Sequence, residues 1–317
     1  MRLLVLGGTS FVGRAIVEAA VGGGHEVTVF SRGRTGTDLF DKLERRKGDR
    51  DTDDYASLAG TSWDAAVDVS GYVPRHVQAA GATLERSIGR YLFISTISVY
   101  DFGAGHNDPT EEAPRLAAER STEEITGATY GPLKVACEDD VTARFGARAT
   151  LVRPGIVAGP YDPTDRFTYW ARRAALGGRV ALPGRAHQPV QVVDARDLGR
   201  LVVALVEQDR SGTYNAVGPA EATTLGGLIH TCAQAADSQV EVVEVDPAAV
   251  DPGFPLVIND PSGDTTFTRS AARARTAGLT ATPLTQTAAD VLAWDRDRGL
   301  PPLAVGLSAT REAELLG

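Results

Sequence analysis

The chain of 317 residues has only two cysteines, Cys137 and Cys232. Two thiols cannot form a disulfide framework or a four-cysteine zinc site, and a reducing cytoplasm is the expected location. Five histidines, at 25, 76, 106, 187 and 230, include no HxxxH or HxH pair, so no metal site is expected. No apolar run approaches the roughly 18 residues of a membrane span. The opening MRLLVLGG meets glycines at once and lacks the longer apolar stretch and cleavage site of a signal peptide. A basic excess is also missing. The net charge is −9 and the pI about 5.1, so no nucleic-acid partner is expected. Lysine is scarce: Lys42, Lys47 and Lys134 are three of 32 basic residues, which makes each an uncommon choice.

What is present is globular. A composition of 43% hydrophobic and 23% charged residues excludes a disordered tail, a collagen or a coiled coil. The length suits one α/β domain with a smaller appendage. Residues 2–6 (RLLVL) read as a buried strand broken by Gly7 and Gly8. Val12, Ala15, Ile16, Ala19 and Ala20 then recur at helical spacing up to the glycines at 22–24, and EVTVF (26–30) reads as a second strand. That is one βαβ unit. The alternation continues with strands over 65–70, 91–96 and 149–154 and helices over 75–88 and 130–145. Continuous apolar strands joined by right-handed crossovers build an α/β, doubly wound parallel sheet. Residues 101–129 are polar and aperiodic and read as a long loop, functional or mobile. Beyond Pro154 the pattern degrades, although PVQVV (189–193), a helix over 195–208 and GTYNAVG (212–218) stand out. The expected organisation is a nucleotide domain over 1–154, to which 190–217 returns, and a smaller C-terminal substrate lobe over 155–189 and 218–317.

The first strand and helix are joined by Gly7-Gly8-Thr9-Ser10-Phe11-Val12-Gly13, with Ser10 where a middle glycine is usual. Between a strand and an amphipathic helix, this turn directs free backbone N–H groups at a pyrophosphate. Gly7, Thr9, Ser10, Phe11, Val12 and Gly13 are therefore expected cofactor contacts. A structural turn is the alternative. The second strand ends not in an acidic residue but in Ser31-Arg32-Gly33-Arg34. Ser31 and Arg32 offer donors, and a guanidinium pairs well with a 2′-phosphate, so NADP is preferred over NAD. Asp49 stands where an adenine amine could be met.

Tyr130-Gly131-Pro132-Leu133-Lys134 sets a tyrosine and a lysine four residues apart at a helix start, on one face. A nearby ammonium favours the phenolate and tunes such a tyrosine for proton transfer. With eight tyrosines and three lysines, about 0.08 Tyr-x-x-x-Lys matches are expected by chance. A hydroxyl is expected at the carboxyl end of strand 91–96, where ligands bind in such sheets. Thr96 is well placed, with Ser95 and Ser98 as alternatives and capping as the alternative role. Cys137 reads as a packing residue, Glu111-Glu112 as a solvated pair, and Arg153 as either a ligand contact or a structural partner. His106 and His187 fall in loops that could border a pocket, with a surface position as the default. Tyr161, Tyr169 and Trp170 could line one, with core packing as the default.

These residues resemble the short-chain dehydrogenase/reductase superfamily, in its extended branch of NAD(P)-dependent epimerases and dehydratases. The resemblance is carried by GGTSFVG at 7–13, STISVY at 95–100, YGPLK at 130–134, RPGIVAGP at 153–160, QVVDARDLGRLV at 191–202 and GTYNAVG at 212–218, with a weaker echo over 268–294. It implies a Rossmann-type fold. It implies that Thr96, four residues before Tyr100, polarises the substrate oxygen. Tyr130 is then the acid/base, and Lys134 tunes it and bonds the nicotinamide ribose. Asp49 looks like the adenine contact, and Ser70 and Gly71 line the cofactor. Ile97-Ser98 replace the Asp-Glu pair of sugar-nucleotide dehydratases, which argues against that elimination. The expected activity is hydride transfer to or from a carbonyl or alcohol of a small organic substrate. One alternative is a sugar-nucleotide epimerase with tightly bound NAD(P). Another is a non-catalytic nucleotide-sensing or RNA-binding protein. The resemblance also suggests a homodimer paired through the tyrosine-bearing helix.

Overall fold

β-branched and leucine-rich runs bounded by glycine or aspartate form the strands, and amphipathic runs between them form the helices. The computed structural model describes residues 1–103, 108–250 and 253–317. In chain order the elements are β1 (Arg2–Leu6), α1 (Phe11–Gly22), β2 (Glu26–Ser31), β3 (Glu44–Lys47), β4 (Trp63–Asp68), α2 (Pro74–Leu84), β5 (Ile88–Ile94), α3 (Tyr130–Phe145) and β6 (Ala149–Pro154). They continue with β7 (Ile156–Ala158), α4 (Arg166–Ala175), β8 (Gly178–Leu182), β9 (Pro189–Val190), β10 (Val192–Asp194), α5 (Ala195–Glu207), β11 (Gly212–Ala216) and β12 (Thr223–Thr224). The last are α6 (Leu225–Ala235), β13 (Val240–Glu244), α7 (Ala272–Thr276), α8 (Leu284–Asp297) and α9 (Ala309–Leu316).

The chain forms two units. The first comprises 1–155, 195–216 and 270–280; the second comprises 156–194, 217–269 and 281–317. The first holds a seven-stranded sheet in the order β11-β6-β5-β4-β1-β2-β3, parallel throughout. From β1 the chain winds outward to β3, returns to β4 and winds the other way. The direction of winding reverses between β1 and β4, so right-handed crossovers put helices on both faces. Helix α1 packs with α5, and α2 packs with α3. The α2 and α3 face is sealed by Leu4, Leu6, Val77, Leu84, Tyr91, Phe93, Cys137, Val141 and Phe145. Each such large side chain removed from water contributes about 1.5–3 kcal/mol.

This is the α/β doubly wound fold that the periodicity predicts, with shifted boundaries. Strand β4 begins at Trp63, whose indole N–H donates to Thr28 Oγ1 (3.0 Å). It ends at Asp68 rather than residue 70, because the Asp68 carboxylate accepts the Ser70 N–H (3.1 Å) and turns the chain out of the ladder. Strand β5 ends at Ile94 because Thr96 caps a short 3₁₀ turn over Ile97–Val99. Helix α2 spans 74–84 rather than 75–88, with Pro74 at its first position. Strand β3 (ERRK) has no apolar run to announce it; it is a charged edge strand paired only with β2. Among the described residues of 101–129 there is no helix or strand.

In the second unit α4, α6 and α8 pack together around Phe167, Trp170, Leu228 and Val291. The expected strand over 189–193 is two: β9 pairs antiparallel with β12, and β10 pairs parallel with β7. Gln191 divides them. Its side chain donates to the Arg269 carbonyl and accepts the Arg269 N–H, both at 2.9 Å. Tyr169 and Trp170 are core residues, whereas Tyr161 is exposed and packs edge-on against Trp294. His187 is exposed, and His106 lies outside the described residues.

Candidate active site

The glycine turn follows β1 directly. A Cβ at Gly13 would lie 2.0 Å from the Gly7 carbonyl oxygen, so only glycine lets the helix start this close to the strand exit. Ser10, the residue that departs from the glycine pattern, sits at φ −138°, ψ 141°, an extended conformation that needs no glycine. It is the N-cap residue of α1, yet its side chain makes no capping bond. The N–H groups of Phe11, Val12 and Gly13 have no acceptor within the helix and lie at the positive end of its dipole. Thr9 Oγ1 lies 3.2 Å from Thr35 Oγ1, which ties the turn to the segment after β2.

That segment meets the loop after β3. Arg32 donates to Asp51 (3.2 Å), and Arg34 stands 3.5 Å from Asp49. Asp49 Oδ1 accepts the Asp51 N–H at 3.1 Å, and Ser31 Oγ accepts the Gly33 N–H at 3.3 Å. The structure thus brings Ser31, Arg32 and Asp49 together at one end of the site. The arginines of both pairs are exposed, and such pairs contribute only about 0–1 kcal/mol each.

At the other end stand the carboxyl ends of β4 and β5. Ser70 Oγ donates to the Leu6 carbonyl (3.3 Å), and a Cβ at Gly7 would sit 2.9 Å from Ser70 Cβ. Ser70 therefore touches the glycine turn. The next residue, Gly71, offers its carbonyl to Lys134 Nζ at 2.7 Å, and the Ile94 carbonyl accepts from the same ammonium at 2.8 Å. Phe93 places its ring 4.0 Å below that charge. Lys134 is 2% exposed, and burial pulls its pKa down to about 8 against the opposing influence of Cys137, Asp68 and Glu138. Tyr130, half-buried, begins α3 one turn before Lys134.

Thr96 is buried. It takes the capping role as well as its place at the strand end: its Oγ1 accepts the Ser98 N–H and donates to Ser98 Oγ, both at 3.1 Å. Gly131 draws this turn and α3 together. A Cβ there would lie 2.2 Å from the Ser98 carbonyl oxygen. Ser95 Oγ is buried with no hydrogen-bond partner among the described residues. The Cys137 thiol is fully buried, and desolvation pushes it up to about 12, which suits packing and not nucleophilic chemistry.

Several residues emerge only here. Arg50 and Asp68 form a bidentate pair inside the first unit, at 2.5 and 2.8 Å. Burial would raise the Asp68 carboxyl, but the Arg50 charge and hydrogen bonds hold it below the ordinary carboxylate range. The signal was a charge inside the apolar run AAVDVS, since a carboxylate so buried requires a partner. Arg153 resolves as a structural partner. It grips buried Glu138 of α3 at 2.7 and 2.8 Å and donates to Tyr100 Oη at 2.8 Å. Glu111 is not the solvated residue expected: its side chain is 5% exposed and accepts the Asn215 N–H at 2.8 Å. Its neighbour Glu112 is exposed and pairs with Arg273 (2.5 Å). Among the described residues no group of His, Cys, Asp and Glu forms a metal cluster.

Known proteins share much of this chain's sequence pattern and its fold. The chloroplast stem-loop binding protein of 41 kDa b of Arabidopsis thaliana is 23% identical over 276 residues, covering 80% of this chain and 68% of that protein. Epimerase family protein SDR39U1 of Bos taurus is 28% identical over 244 residues, covering 71% of this chain and 76% of that one. UDP-glucuronic acid 4-epimerase of Bacillus cereus, solved in complex with NAD, superposes with a TM-score of 0.69 at 14% identity, covering 96% of this chain and 99% of that one. At that identity the likeness speaks for the fold. The model of the NAD dependent epimerase/dehydratase family matches residues 3–217, more than half of the chain, and the protein belongs to that family.

Proposed function

We propose that the protein is an NAD(P)-dependent oxidoreductase that exchanges hydride with a carbonyl or alcohol of a small organic substrate, with Thr96, Tyr130 and Lys134 as its catalytic side chains. The observation that carries this reading is the Lys134 ammonium, buried against the carbonyls of Gly71 and Ile94 one helical turn from Tyr130. An ammonium has three donors, and among the described residues two are used, so the third would meet a ribose hydroxyl.

The residues suit a dinucleotide. Gly7 and Gly13 leave a cradle that a Cβ would fill, and the uncapped start of α1 offers N–H groups to a pyrophosphate. Ser31 and Arg32 bind a 2′-phosphate, which favours NADP; Asp49 accepts from the adenine amine, and Ser70 and Gly71 line the cofactor. When bound, the nicotinamide supplies the carbon that gives or takes hydride. Thr96 and Tyr130 donate to the substrate oxygen. Tyr130 passes its proton to that oxygen as negative charge develops there and recovers it in the reverse direction. Lys134 holds positive charge beside the phenol. Ile97 is buried and Ser98 bonds Thr96, so the turn offers no carboxylate pair for dehydration.

Tyr130→Phe tests the reading. Cofactor affinity should hold while turnover, followed by nicotinamide absorbance over a panel of aldehydes, ketones and sugar nucleotides, falls about 10²–10⁴-fold. Turnover equal to wild type would remove Tyr130 from the mechanism. An epimerase that recycles its nicotinamide is the second reading, favoured by the name of the bovine relative. Protein purified without added cofactor would then carry the cofactor's absorbance.

A further inference from the structure

The loop after β3 and the turn after β4 are far apart in sequence, and one guanidinium joins them. Arg50 follows Asp49 directly and is 8% exposed. All five of its N–H donors are used. Two bind the Asp68 carboxylate; the others reach Ser70 Oγ (2.9 Å), the His76 carbonyl (3.0 Å) and Tyr55 Oη (3.2 Å). Asp68 is equally occupied. It accepts from Arg50 twice, from the Ser70 N–H and from Tyr91 Oη at 2.5 Å. From this hub one branch reaches Asp49 through the backbone. A second reaches the glycine turn through Ser70, which donates to the Leu6 carbonyl. A third runs through Ser70 to Gly71, whose carbonyl holds Lys134.

A buried ion pair adds little stability over an apolar pair of the same volume, because removing two charges from water offsets their attraction. What this pair does provide is a fixed geometry among three segments. We propose that Arg50 is a positioning residue for the dinucleotide: through Asp68 and Ser70 it sets the adenine-side loop, the glycine turn and the Lys134 anchor at one mutual spacing. The inference rests on the dinucleotide reading above. Arg50 touches no reacting atom in this role; it acts through Asp49, Ser70 and Gly71.

The test separates position from stability. Arg50→Lys keeps the charge opposite Asp68 but cannot span Asp68, Ser70 and His76 together. Its NADP+ dissociation constant, by titration calorimetry, should rise at least about tenfold. The triple variant Arg50→Met, Asp68→Leu, Tyr91→Phe replaces the network with apolar groups. It should recover most of the wild-type melting temperature without recovering NADP+ affinity. Wild-type affinity in either variant overturns the inference. Should neither variant fold, amide exchange in the wild-type protein decides: NADP+ should slow exchange in 49–52 and 69–71 together, and slowing confined to one segment overturns it. A wild-type protein that binds neither NADP+ nor NAD+ removes the dinucleotide reading itself. Binding by wild type with undiminished binding by the variants removes only the role of Arg50.

Discussion

Lys134 carries a charge that is almost wholly withdrawn from water, and that has a measurable consequence. Its pKa in the native protein is about 8, against 10.5 for an ordinary lysine. Between those values the unfolded chain holds a proton that the native state has released, so native stability rises with pH across that window. Below pH 8 both states are protonated and the contribution is flat. The full difference corresponds to about 3 kcal/mol. Unfolding free energies of wild type and Lys134→Met, measured by denaturant titration from pH 8 to 10, should move apart in favour of wild type. A constant difference would mean that Lys134 titrates as a solvated lysine. Arg32 makes the opposite case, a half-exposed guanidinium paired with exposed Asp51. If it binds the 2′-phosphate, Arg32→Ala should weaken NADP+ about tenfold and leave NAD+ unchanged. Equal affinities before and after would withdraw the preference for NADP.

Helix α3 brings the proposed chemistry together as one rigid piece. Tyr130 and Lys134 lie at its start, Glu138 fixes it to Arg153 of β6, and Gly131 lets it approach the Thr96 turn. Gly131→Ala would put a methyl group 2.2 Å from the Ser98 carbonyl and 3.0 Å from Leu116. The helix must then withdraw from the turn, at a cost of about 1–3 kcal/mol. We expect a lower melting temperature and a kcat that falls by more than cofactor affinity does, because the glycine turn lies on a different element. A variant that melts lower but keeps wild-type kcat would show that the spacing of Tyr130 and Thr96 tolerates the shift.

Over the whole molecule, the net charge bears on one class of partner. A net charge of −9 opposes the phosphate backbone of a nucleic acid, and binding of that kind needs a basic face. The Arabidopsis relative is named for stem-loop binding, so the point can be tested. A labelled stem-loop RNA should show no shift with this protein at about 0.15 M salt. A clear shift there would favour the RNA-binding alternative over the enzymatic one. Among the described residues no helix is long and apolar enough to cross a membrane.

Periodicity and the glycine turn were enough to predict the parallel sheet, because strands buried on both faces must be continuously apolar and a strand-to-helix turn this tight admits few residues. The Tyr130–Lys134 spacing was legible for the same reason: a helix turns once in 3.6 residues wherever it is placed. Sequence could not announce β3, whose edge position lets it be charged. Nor could it reveal that the Glu111 side chain is tucked away from water, because a carboxylate in a polar loop looks the same whether or not Asn215 lies opposite. The Arg50–Asp68 pair joins residues 18 apart in the chain on two separate strand exits. Only folding brings such charges within reach, since local pattern encodes which face a residue takes and tertiary packing decides what it meets there.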